Sequence, residues 1–309
     1  MQEHTDLEPE TNTQESTTSM QPMRFTDILA GMFTLYRSHF RLFLGISAVY
    51  LVVRFCTDQI CMYFLIGGMG DPALKLRGFL ETFLLLIFGS ALIYAGAHAF
   101  LKREITVGDV LKRTLQCMSL LDLSPLIGSS ILWFLSVFGP FFIIPLILGL
   151  ISGFDTIVAI IAIIISIPFS VYFGVRWGLY YLPVLFEKTS AITALNRSAK
   201  LVKGSWWRVF GIMVAIVLIT IMIGIILGLS FSSIFSFIIG TTAVAEFTPN
   251  DIGWFAYLIW SFVRISIYIY STSIGCIGLA LLYLDMRIRK EPDDLKIHVN
   301  RLRTSSKLT

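Results

Sequence analysis

Apolar residues in this chain gather into long unbroken blocks instead of the alternating or every-third-position patterns of half-buried elements. Six such blocks, at about 40–66, 79–101, 124–151, 155–185, 208–240 and 254–284, run about twenty residues or more with very little charge. A helix rises about 1.5 Å per residue and the hydrocarbon core of a bilayer is about 30 Å thick, so blocks of this length predict membrane-crossing helices. Ser152, Gly153, Phe154 and Asp155 separate the third block from the fourth and predict a tight hairpin. Pro140, Pro145 and Pro168 lie within these two blocks and predict kinks.

Ahead of the first, third and fifth blocks the pattern becomes that of an amphipathic helix. Leu29, Phe33, Tyr36 and Phe40 are matched 82 residues on by Leu111, Leu115, Met118 and Asp122, and 84 further by Leu195, Ala199, Val202 and Trp206. The spacing of four, three, four places each set on one helix face. Asp27, Asp109 and Thr193 occupy the equivalent first-turn position, where a short polar side chain suits a helix start. The opposite faces are basic or polar, with Arg37 and Ser38, then Lys112, Arg113 and Gln116, then Asn196, Arg197, Lys200 and Lys203. A helix with one apolar and one basic face lies in the headgroup plane. The expected fold is therefore all-α and polytopic, with six transmembrane helices and three interfacial ones, read as three repeated helix-plus-hairpin units.

Composition adds an exclusion. Only 14% of the 309 residues are charged, against roughly 25% in soluble domains, too few to cover the water-facing surface of an ordinary globular enzyme. The net charge of +4 hides an asymmetry. Of 24 Lys and Arg, 19 fall before the first block, between even and odd blocks or in the tail; two, Lys75 and Arg77, fall on the other side; Arg54, Arg176 and Arg264 lie within blocks. The positive-inside rule then puts both termini in the cytoplasm of a cell (inner) membrane, with a basic face that attracts anionic headgroups. Residues 1–22, acidic and polar, are expected to be a disordered cytoplasmic tail, residues 23–290 the membrane domain and 291–309 a basic cytoplasmic tail. The acidic start is unlike a signal peptide, so the first helix is expected to be kept.

Few residues offer chemistry. Arg54 and Asp58 are four apart on one helix face. They read either as a polar site for a headgroup or ion, or as a structural pair with Asp58 reaching the outer interface. Arg264, about ten residues past Trp254, is followed at helical spacing by Tyr268, Ser271 and Gly275. That stripe is either a cavity wall or a packing seam whose arginine pairs with Asp58 or carbonyls. Arg54, Asp58, Arg264 and Tyr268 together form a candidate intramembrane polar site. Arg176 sits among Trp177, Tyr180 and Tyr181 as an interfacial anchor or as a partner of Glu187 or Asp285. Arg197, Lys200, Lys203, Trp206 and Trp207 combine cations with amphipathic rings, as a lipid-phosphate contact or a plain anchor would. Gly224 and Gly228, like Ser271 and Gly275, have the small-xxx-small spacing of close helix contacts. The four His and four Cys are scattered without metal-ligand or CxxC spacing, so no metal, cofactor or catalytic set is expected, and no nucleic-acid surface.

Two stretches carry a family resemblance. The first runs over 176–211: Arg176, Leu182 and Pro183, Glu187, then Ala194, Leu195, Asn196, Arg197 and Ser198, then Leu201, Val202, Lys203 and Gly204, then Trp206, Trp207 and Arg208. The second is Leu282, Tyr283, Leu284, Asp285, Met286, Arg287, Ile288, Arg289, Lys290 and Glu291, followed by Asp294 and Leu295. Together they resemble the family of prokaryotic integral membrane proteins related to the membrane domain of glycerophosphodiester phosphodiesterase, and segment 25–43 looks like that family's N-terminus. In fused members hydrolysis belongs to a separate soluble barrel. The resemblance thus implies a non-enzymatic membrane module that anchors, presents lipid to, or regulates a protein partner. A small-molecule or lipid transporter using the intramembrane site is the alternative.

Overall fold

The computed structural model describes residues 22–101, 105–117, 120–152, 155–187, 189–240 and 247–291. Among these the regular structure is entirely helical. The helices are α1 (Phe25–Ser38), α2 (Phe40–Phe64), α3 (Asp71–Phe100), α4 (Val107–Cys117), α5 (Leu120–Phe138), α6 (Pro140–Ser152), α7 (Thr156–Trp177), α8 (Tyr181–Glu187), α9 (Ala191–Val202), α10 (Trp206–Ile239), α11 (Pro249–Ile252) and α12 (Trp254–Lys290). Residues 1–21 and 292–309, for which tails are expected, lie outside the described residues.

Five helical stretches are long and apolar enough to cross a membrane: Phe40–Gly68, Pro72–Phe100, Thr156–Leu185, Trp206–Ile239 and Trp254–Lys290. The third expected span is instead a pair, Ser124–Phe138 and Pro140–Ile151, bent by 42° at Gly139. Pro140 lacks the N–H that would have continued the helix, which places the break there. Pro145 and Pro168 lie within α6 and α7, which continue through them.

The second span begins near Pro72, several residues before the apolar block does, so Arg77 and Glu81 lie on α3. Arg77 is thus not a loop residue. Charge drew the expected boundary too late, because hydropathy reads a polar residue facing a bundle as one facing water.

α12 is the axis of the fold and packs against α1, α2, α3 and α10. Its 37 residues measure about 55 Å, longer than a bilayer core is thick. Leu281 through Ile288 are nonetheless all buried. Arg287 is 4% exposed and Asp285 fully buried, so the end of α12, past the last apolar block, is core.

α1, α4 and α9 each precede a helical hairpin: α2 with α3, the bent α5 and α6 with α7, and α10 with α12. Each packs mainly on the preceding hairpin. α4 lies on α3 and α2, and α9 on α5 and α7. α1 has no predecessor and lies on α12 of the last hairpin, closing a ring. Their starts are built alike. The Arg24 amide donates to Asp27 Oδ2 at 2.9 Å, the Thr106 amide to Asp109 Oδ2 at 3.1 Å, and the Ser190 and Thr193 hydroxyls meet at 2.8 Å. The Thr106 hydroxyl and then its amide hold the Asp109 carboxyl below the usual carboxylate range.

In α1 the buried face turns by one residue from the expected one, with Tyr36 common to both, whereas in α9 the expected Leu195 and Val202 are buried. Ile28, Met32 and Tyr36 face the core, as do Val110 and Ala194 at the positions matching Ile28, whereas Phe33 and Phe40 are exposed. α1 is apolar on more than one side, and periodicity cannot tell which side meets protein.

α10 and α12 touch closely where a glycine removes a side chain. A Cβ on Gly275 would stand 2.9 Å from Thr220 Oγ1, and one on Gly278 at 3.0–3.1 Å from three Ile216 atoms. A Cβ on Gly228 meets nothing within 4 Å, so this glycine makes no close helix contact. Gly278→Leu is accordingly expected to lower stability by about 1–3 kcal/mol through overpacking, and Gly228→Leu to leave the unfolding midpoint in mild detergent unchanged.

Candidate functional site

A buried charge cluster lies where α2, α3 and α12 meet. Asp58, fully buried, is its centre. Arg77 Nη2 approaches Asp58 Oδ1 at 2.8 Å, Arg54 Nη1 at 3.3 Å and Arg264 Nη2 at 3.9 Å. The Ser261 and Tyr257 hydroxyls donate to Asp58 Oδ2 at 3.2 and 3.4 Å. Arg54 Nη2 also reaches Glu81 Oε2 at 2.8 Å, and Gln59 Nε2 donates to Ser261 Oγ at 2.7 Å. A carboxylate can accept several hydrogen bonds at once, and such convergence is what makes a buried charge tolerable.

Three of the four expected intramembrane residues, Arg54, Asp58 and Arg264, therefore meet. Tyr268 does not join them. It is partly exposed and lines a groove between α10 and α12 together with Arg264, Trp260, Gly224 and Gly228. That groove reaches neither Arg54 nor Asp58. Arg77 was missed because it sits in a stretch whose charge reads as a loop, and Glu81, inside the expected block 79–101, because nothing at helical spacing on that block marks it as a partner of Arg54. Tyr257 and Ser261, about two turns and one turn before Arg264, gave no separate signal.

A second cluster fastens the basic end of the bundle. Asp285 accepts the Met23 amide at 2.8 Å, Arg289 Nε at 3.0 Å and Arg208 Nη2 at 3.0 Å. Arg208 and Arg289 each also donate to the Met23 carbonyl at 2.6 Å. One buried carboxylate thus ties the approach to α1, the start of α10 and the end of α12. Beside it, Arg197 of α9 grips Glu291 with two parallel bonds of 2.7 and 2.6 Å, the fork geometry that guanidinium and carboxylate share. Arg287 lies 3.9 Å from Glu291 and 5.9 Å over the Tyr283 ring. Lys290 Nζ donates to the Lys200 and Lys203 carbonyls.

Of the expected interfacial residues, Arg197, Asp285, Arg287 and Arg289 thus belong to internal ion pairs. Arg176 bonds the Tyr172 hydroxyl at 2.8 Å, whereas the described ion pairs of Asp285 are with Arg208 and Arg289. The Glu187 side chain lies outside the described residues. Trp206 stacks on Phe210 with ring centroids 5.1 Å apart, and Trp207 is 78% exposed.

The same end carries cations outside these clusters. Arg37, His39 and Arg41 line a cleft of about 550 Å³ at the elbow between α1 and α2, closed on its far side by Ile105, Thr106 and Val107 at the start of α4. Both arginines are exposed. Among the described residues no three His, Cys, Asp or Glu side chains converge as metal ligands would.

No family model, curated protein or solved structure matches the chain.

Proposed function

We propose that the chain is a non-enzymatic multi-pass membrane protein, related to the prokaryotic family it resembles, whose basic cytoplasmic face binds anionic lipid and so positions a partner protein. The observation that carries this reading is the division of labour among the cations. Arg197, Arg208, Arg287 and Arg289 lie beside carboxylates and hold helices together. Arg37 and Arg41, both exposed, instead flank an open cleft beside the start of α4. In this reading α1, α4 and α9 lie in the headgroup plane. Their buried sides rest on the bundle, and exposed Phe25, Phe33, Phe40 and Ile192 dip into the acyl boundary. In this reading the basic end faces the cytoplasm, with both termini on that side of the cell membrane; the excess of Lys and Arg there, under the positive-inside rule, is what supports it.

The experiment is lipid selection. Protein reconstituted in nanodiscs of equal parts phosphatidylglycerol and phosphatidylcholine is expected to retain the anionic lipid preferentially, read by native mass spectrometry. Arg37→Gln with Arg41→Gln should reduce that enrichment by roughly fivefold per arginine, since a basic residue at an anionic surface contributes about 1 kcal/mol. Equal retention of both lipids by the unsubstituted protein would rule the reading out.

A further inference from the structure

We infer that the acidic segment at the start of the chain docks in the Arg37–Arg41 cleft, in the place of an anionic headgroup, so that the chain moderates its own lipid binding. This use of the cleft presupposes its reading as an anion site. Residues 1–21 carry Glu3, Asp6, Glu8, Glu10 and Glu15 and neither Lys nor Arg. Their charge is opposite to that of the bundle end they join.

The bundle fixes where this segment starts. The Met23 amide donates to Asp285, and the Met23 carbonyl accepts from Arg208 and Arg289. The cations of that knot are engaged: Arg208 and Arg289 with Asp285, Arg197 with Glu291, and Lys290 with two carbonyls. Arg37 lies fourteen residues along the chain from Met23, about 21 Å of helix. Extended chain covers about 3.3 Å per residue, so Glu15, eight residues before Met23, reaches about 26 Å, and Glu10, thirteen before, about 43 Å. Glu15 thus reaches Arg37, and the earlier carboxylates reach the whole cleft.

The cleft is built to receive carboxylates. Arg37 sits in the last turn of α1 and Arg41 in the first turn of α2, so the elbow at His39 sets two guanidinium groups beside one space of about 550 Å³. Both arginines are exposed, and among the described residues no carboxylate lines the cleft. A guanidinium takes the two oxygens of a carboxylate in a planar fork. Glu8 and Glu10 stand two apart, so one short stretch offers a carboxylate to each arginine. Exposed ion pairs are individually weak, but a segment tethered within reach of its site acts at an effective concentration of about millimolar. Such a contact competes with lipid without excluding it.

The test puts the photoreactive residue p-benzoylphenylalanine in place of Thr11 in the full chain, which keeps all five carboxylates, and maps cross-links by mass spectrometry. In phosphatidylcholine nanodiscs at about 0.15 M salt, cross-links are expected at 37–42 and 105–107. Their yield should fall about threefold or more at about 1 M salt, in Arg37→Gln with Arg41→Gln, and when phosphatidylglycerol replaces half of the lipid. Cross-links confined to other parts of the chain, the basic stretch 292–309 among them, would overturn the docking, as would a yield that neither salt nor the double variant lowers. The second arm neutralises the segment with Glu3→Gln, Asp6→Asn, Glu8→Gln, Glu10→Gln and Glu15→Gln. Retention of phosphatidylglycerol should then rise about threefold, and unchanged retention would overturn the competition. The two arms fail separately. The cross-link in phosphatidylcholine alone reports docking whether or not lipid is selected, whereas equal retention of both lipids by the neutralised chain would rule out the lipid reading and the competition with it.

Discussion

Asp58→Leu is expected to destabilise the fold by about 3–5 kcal/mol, the loss that follows when one partner of a buried ion pair is removed and the other charge stays behind. The size follows from what remains. Arg54, Arg77 and Arg264 converge on Asp58, and among the described ion pairs Glu81 meets Arg54. Tyr257 and Ser261 lose their acceptor at the same time. Removing an arginine together with the carboxylate should reverse part of the damage. Asp58→Leu with Arg77→Leu leaves fewer stranded charges and is expected to be more stable than Asp58→Leu alone. Unfolding by sodium dodecyl sulfate from mild detergent micelles reads both. A single variant as stable as the unsubstituted protein would mean that water solvates the cluster and that it holds nothing together.

At the opposite end, Asp285→Ala is expected to cost about 3 kcal/mol and to act locally first. Asp285 is fully buried, but the Arg208 and Arg289 side chains are about a third exposed, so freed guanidinium groups can turn to water. The penalty therefore falls below that at Asp58. What is lost is the attachment of Met23, which Asp285 and the two arginines hold by amide and carbonyl together. α1 then keeps only its apolar contacts through Ile28, Met32 and Tyr36. Trypsin should cut after Arg24 and Arg37 much faster in the variant, well below the temperature at which the bundle unfolds. Unchanged cleavage would show that apolar packing alone keeps α1 in place.

These clusters mark where the sequence was legible and where it was not. Helix positions follow from hydropathy because hydrocarbon forces every backbone group to be satisfied within the segment, leaving long apolar runs few other forms. Arg54 and Asp58 could be paired from spacing alone, being one helical turn apart. Arg197 and Glu291 could not, with 94 positions between them. Nor could Asp285 and Met23, 262 apart. Long-range partners leave no periodic trace, and Arg77 shows the converse error, a bundle-facing charge that passes for a loop. The recurring helix starts were visible as Asp27, Asp109 and Thr193. The ring they help to build was not, because α1 closes it by packing on the last helix of the chain. Gly224 and Gly228 have the spacing of a contact motif, and only Gly224 meets α12, where a Cβ would stand 3.6 Å from Ser271 Oγ; one on Gly228 would meet nothing within 4 Å.

The lipid-binding reading is tested most directly by measuring headgroup selectivity as a function of ionic strength, for the unsubstituted protein and for Arg37→Gln with Arg41→Gln. The screening length falls from about 8 Å at 0.15 M to about 3 Å at 1 M, and exposed cations acting on phosphates must weaken with it. The prediction is a clear preference for phosphatidylglycerol at 0.15 M salt, mostly lost at 1 M, with the double variant already close to that reduced level at low salt. A preference that salt leaves intact, or one that the double variant retains in full, would contradict it.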